Sequence, residues 1–60
     1  MKVNSFNDFK YIFYIEGKDR ALKKLFSNFL SDKDINLLYE RIENNDINLM
    51  EAYEKYKKFK

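Results

Sequence analysis

The chain has no cysteine, histidine, proline or tryptophan, and its only glycine is Gly17. Without cysteine there is no disulfide framework and no thiolate ligand set. Without histidine, most zinc sites and all imidazole acid–base chemistry are excluded. A lone glycine leaves no glycine-rich loop to cradle a phosphate. Long hydrophobic runs are missing as well. The longest, Tyr11 to Ile15, falls far short of the ~20 residues that span a bilayer, and the N-terminal residues carry no signal-peptide stretch. The expectation is a cytoplasmic protein that makes no use of a membrane.

Lys, Asn, Phe, Tyr and Ile together supply 33 of the 60 residues. All five are encoded by AT-rich codons, a bias that fits a low-GC bacterium, its phages or its plasmids, and equally an AT-rich eukaryotic parasite. A chain this short accommodates one domain, residues 1–60, and buries only ~60% of its unfolded surface. Its stability is therefore marginal or shared with a partner.

Helix signals recur along the whole chain and predict an all-α bundle of about four short helices, at 6–16, 20–30, 32–43 and 48–59. Ser5 and Asp8 form a capping pair ahead of Phe6, Phe9, Ile12 and Phe13, which repeat at helical spacing until Gly17. The β-branched and aromatic run Tyr11–Ile15 would also suit a buried strand, but no second strand exists to satisfy its backbone groups. Asp19 is placed to cap a second helix whose apolar side carries Leu22, Leu25, Phe26, Phe29 and Leu30. Ser31 and Asp34 repeat the capping pattern before the stripe Ile35, Leu38, Tyr39 and Ile42, which Asn44-Asn45 breaks. Asn48 and Glu51 make a capping box, with Ile47 and Ala52 as its hydrophobic staple, ahead of Leu49, Tyr53, Tyr56 and Phe59. Connections of two to five residues make successive helices double back or cross.

One motif approaches metal chemistry. Asp32, Asp34, Asn36 and Glu43 fall at positions one, three, five and twelve of a calcium loop. Position six requires glycine for the sharp turn and holds Leu37 instead, on residues that already carry a helical stripe. The acids are better read as the dipole-favoured first turn of a helix, so no metal or other cofactor is expected. Catalytic groups are equally hard to assemble. Of the three serines, Ser5 and Ser31 are explained as caps, and the carboxylates are spread over polar faces with no pair set apart. A non-enzymatic protein is expected.

Charge is polarised along the chain. Residues 1–30 carry +3, residues 31–54 carry −5, and residues 55–60 carry +4. A nucleic-acid-binding reading uses Lys55, Lys57, Lys58 and Lys60 on phosphates, with Tyr53, Tyr56 or Phe59 stacking on bases. The same lysines complement the helix dipole, and the same rings belong to the stripe that a core requires. Helices three and four can also be read as a helix-turn-helix. Glu51 and Glu54 then precede any lysine on the recognition helix and oppose a phosphate backbone.

The first helix supplies the leading functional expectation. Phe6, Phe9, Ile12 and Phe13 fill one face, while Tyr11, Tyr14 and Ile15 cluster on the other. Leu37 similarly falls off the stripe of the third helix. Either other helices wrap both faces of the first, or Tyr11, Tyr14, Ile15 and Leu37 meet another protein chain. Contact with another chain is the leading expectation: a small non-enzymatic interaction module, such as a regulator or inhibitor from a phage or mobile element that occludes a surface of a larger host protein. Its rivals are the nucleic-acid binder and a structural homo-oligomer whose patch meets its own copy.

Overall fold

A computed structural model describes residues 3–59. Among these residues there are four helices and no strand: α1 (Phe6–Glu16), α2 (Lys18–Phe26), α3 (Asp32–Glu43) and α4 (Leu49–Phe59). The strand alternative for Tyr11–Ile15 is thereby settled in favour of helix. Closely packed pairs are α1 with α2, α2 with α3, and α1 with α4. Helices α3 and α4 are not among these closely packed pairs, although both contribute to the same core cluster.

Side chains and backbone define the helix ends together. The Asp8 N–H donates to Ser5 Oγ at 3.3 Å, and Asp8 Oδ2 accepts from the Asn4 N–H at 3.0 Å, one residue earlier than in a standard capping box. The Asp34 N–H donates to Ser31 Oγ at 3.3 Å. At α4 the box is reciprocal: the Glu51 N–H donates to Asn48 Oδ1 at 2.8 Å, and the Asn48 N–H to Glu51 Oε1 at 3.0 Å. Beyond α3, Asn45 takes φ +62°, the Asp46 N–H reaches the Arg41 carbonyl at 2.8 Å, and the Asn45 N–H reaches the Ile42 carbonyl at 3.1 Å. This is a Schellman motif with asparagine in the left-handed position that glycine usually occupies.

Helix α2 departs from expectation at both ends. It begins at Lys18, so Asp19 lies inside its first turn rather than capping it, and Gly17 alone joins α1 to α2. Gly17 adopts φ +86°, ψ 161°, a region essentially restricted to glycine, and this lets the chain reverse in one residue. At the other end α2 stops at Phe26, four residues short of the predicted boundary. Ser27 and Asn28 follow, residues that favour turns over helix interiors, and the Phe29 and Leu30 N–H groups both reach the Phe26 carbonyl. Phe29 consequently leaves the α2 stripe, is 39% exposed, and stacks on Phe59 with ring centroids 5.4 Å apart.

The core is aromatic at its centre and aliphatic at its edge. Phe9, fully buried, meets Phe13 at 5.1 Å, Phe26 at 6.4 Å, Tyr53 at 5.3 Å and Tyr56 at 5.6 Å between centroids. Leu22, Leu25, Ile35, Leu38 and Ile42 extend this cluster to α2 and α3. No charged side chain is buried among the described residues.

Two stability outcomes follow from this packing. Leu22→Ala removes a fully buried side chain and is expected to destabilise by ~2–5 kcal/mol in denaturant titrations. Leu37→Ala, at a half-exposed position, is expected to stay within ~0.5 kcal/mol of the parent. Equal effects at the two sites would mean that the core is misassigned. At the α1–α2 joint, a Cβ on Gly17 meets no atom within 4 Å, so Gly17→Ala isolates backbone strain from steric clash. It should lower stability by ~1–3 kcal/mol, and an unchanged melting curve would contradict the backbone geometry described here.

Candidate protein-binding surface

Helices α2 and α4 pack on the Phe9, Ile12 and Phe13 side of α1, leaving the opposite side to solvent. Tyr14 is 87% exposed, Tyr11 56% and Ile15 52%. The arrangement follows from helical geometry: residues 11, 14 and 15 project roughly opposite the buried stripe, and no further helix among the described residues covers them. Tyrosine tolerates this position because its hydroxyl stays in water while its ring remains available for contact.

Tyr11 and Tyr14 line a groove of about 530 Å³ with Asn7, Lys10 and Phe13 from α1, Lys18 from α2 and Leu49 from α4. Phe13 is buried, Leu49 half-buried, and the two lysines are exposed. Lys10 Nζ lies 5.1 Å from the centroid of the Phe6 ring, a cation–π contact, and pairs with no carboxylate among the described residues. Lys18 Nζ pairs with Glu43 Oε1 at 2.8 Å. That hydrogen bond, and then the charge of Glu43, hold the Lys18 ammonium above the ordinary lysine range, against a smaller opposing effect of desolvation.

The other expected contact residues lie elsewhere. Ile15 faces a separate depression between α1 and α2, together with Ile12, Glu16, Lys24 and Leu25. Leu37 lies on α3, in depressions shared with Leu30, Asp34, Arg41 and Lys55 and with Lys33, Tyr39 and Glu40. The four residues singled out from sequence therefore do not line one groove; Tyr11 and Tyr14 do. Asn7, Lys10, Lys18 and Leu49 are additions from the structure. Asn7 and Lys10 were within reach of sequence reasoning, because each stands one helical turn before a groove tyrosine, whereas Lys18 and Leu49 arrive from other helices.

The basic C-terminal segment is differently composed. Lys57 Nζ lies 5.4 Å from the Tyr53 ring centroid and 3.9 Å from Glu54 Oε2. Lys55 and Lys58 share a depression with Arg41, Glu51 and Glu54, a mixture of signs poorly suited to a phosphate backbone. Lys60 lies outside the described residues. Of the rings that a nucleic-acid reading would offer to bases, Tyr56 is buried, Tyr53 packs against Phe6 and Phe9, and Phe59 is stacked on Phe29.

The calcium-like spacing does not form a loop, because Asp32–Glu43 is one continuous helix. Among the described residues, no three or more acidic side chains come together where they could hold a metal ion, and no helix is long and apolar enough to cross a membrane. No protein-family model matches the sequence, and no curated protein or solved structure matches it significantly.

One electrostatic feature next to the exposed face is open to direct titration. Lys24 Nζ donates to Glu16 Oε2 at 2.9 Å, and Arg20 Nε lies 3.9 Å from Glu16 Oε1. The Lys24 hydrogen bond and charge, with a smaller contribution from Arg20, hold the Glu16 carboxyl below its ordinary value, and desolvation opposes them in part. A depressed carboxylate stabilises the fold above its unfolded-state pKa, and that contribution is lost as pH falls through the lower folded-state value. Carbon-detected NMR should therefore place the Glu16 midpoint below that of a solvated glutamate, and Lys24→Ala should move it back up. A midpoint indifferent to Lys24→Ala would show that the ion pair is not formed in solution.

Proposed function

We propose that the chain is a non-enzymatic protein-binding module that engages another protein through the exposed aromatic face of α1, centred on Tyr11 and Tyr14. The observation that carries this reading is the exposure of Tyr14, 87%, beside a second exposed tyrosine on a groove that Phe13 and Leu49 also line. Large aromatic side chains over an apolar floor are common anchors of protein association. The module acts by occlusion, as a small regulator or inhibitor that covers a surface of a larger protein and contributes no chemistry of its own. Ile15 lies at the margin of the contact, and Leu37 offers a separate apolar point on α3.

Replacing Tyr14 with glutamate tests this reading. A central aromatic anchor contributes more than ~2 kcal/mol, so Tyr14→Glu should weaken partner retention about 30-fold. A side chain this exposed supports little of the fold, and the thermal transition should stay within ~0.5 kcal/mol of the parent. The measurements are quantitative capture from cell extract with parent and variant side by side, light scattering for self-association, and thermal melts. Equal retention of the same proteins by both would show that α1 is not the contact surface.

A further inference from the structure

The sign of the charge around the Tyr11–Tyr14 groove differs from that of the other depressions described here. Its charged lining is Lys10 and Lys18, with no carboxylate. The Ile15 depression combines Glu16 with Lys24, the C-terminal one sets Glu51 and Glu54 against lysines, and both Leu37 depressions contain Asp34 beside a cation. Lys10 is the stronger attractor of the two, since Lys18 is already paired with Glu43 at 2.8 Å. A groove lined by Tyr11, Tyr14, Phe13 and Leu49 together with two lysines complements an apolar anchor flanked by negative charge. Addition of a partner strand is not available, because the described residues offer no sheet edge.

We propose that the occupant of this groove is an acidic peptide segment of another protein, whose apolar side chain seats between Tyr11 and Tyr14 against Leu49 while flanking carboxylates meet Lys10 and Lys18. This deepens the reading of α1 as a protein-binding face and rests on it. A second copy is a poorer fit, because the exposed Leu37 on α3 stands among Lys33 and Arg41 as well as Asp34 and Glu40.

The test is selection of random twelve-residue peptides displayed on phage against the immobilised full chain, followed by titration of the recovered peptides as synthetic ligands. Enriched peptides are expected to be net acidic with one aromatic or aliphatic anchor. They should lose at least ten-fold in affinity with Tyr14→Glu and several-fold with Lys10→Glu, and they should weaken as salt rises. Changing one peptide carboxylate to lysine should restore binding to the Lys10→Glu variant. Melts of both variants establish that they are folded, which their exposed positions favour. Recovery of neutral or basic peptides that still depend on Tyr14 overturns the acidic partner but leaves the binding face standing. Recovery only of peptides indifferent to Tyr14→Glu overturns both. Failure to enrich any peptide overturns the acidic segment as occupant. So does a Tyr14-dependent dimer seen by sedimentation, or Tyr14-dependent binding to phosphatidylserine vesicles.

Discussion

The fold depends on the burial of one ring. Phe9 is in contact with aromatic side chains from α1, α2 and α4 at once, and with Phe6 on Tyr53 it ties α1 to α4. A chain of this length has few other means of stabilisation: it has no disulfide, and among the described residues it buries no charged side chain and forms its ion pairs at exposed or partly exposed positions. Aromatic residues compensate because each removes a large apolar area from water and prefers the tilted and edge-on contacts seen around Phe9 and Phe26. The aromatic-rich composition is thus accounted for chiefly by packing, with Tyr11 and Tyr14 as the exceptions.

Much of this was legible in the sequence, and the parts that were not have physical reasons. The boundaries of α1 and α3, and α4 to within one residue, follow from side chains that act locally: Ser5, Ser31 and Asn48 satisfy N–H groups three residues away, whatever the rest of the chain does. Helix α2 departs from its expected limits because they are set by the turns at Gly17 and at Ser27-Asn28 rather than by its apolar stripe. Asp19 is a sound cap by type, but the crossing of α1 and α2 is made through the left-handed backbone of Gly17, and the helix has already begun when Asp19 is reached. Phe29 lies on the ideal continuation of the α2 stripe, so periodicity assigned it to the core. The helix ends before it, and its ring turns to Phe59 instead.

The candidate surface shows the same division. That Tyr11 and Tyr14 would stand opposite the buried stripe follows from helical spacing alone, whereas the choice between a covered and an open second face needed the relative placement of all four helices. The groove itself was invisible in the sequence, because its wall is completed by Leu49 and its rim by Lys18, residues remote from the tyrosines along the chain or on another helix. Leu37 shows how far pattern reasoning extends: its departure from the α3 stripe correctly marked it as exposed, but could not say that it lies apart from the tyrosines.

The order of the helix pairings has a consequence for how quickly the chain reaches its structure. Helix α1 packs on α2 and α2 on α3, each pair adjacent in sequence, whereas α4 reaches back across the chain to α1 and, through Tyr56 and Phe59 on Phe26, to α2. The elbow at Gly17 makes the first pairing almost free of loop-closure entropy, while docking of α4 closes the longest loop. Such short-range topologies fold in about microseconds to milliseconds. Bringing Tyr53 and Tyr56 to Phe9 is therefore the step that closes most chain, and it completes the aromatic cluster.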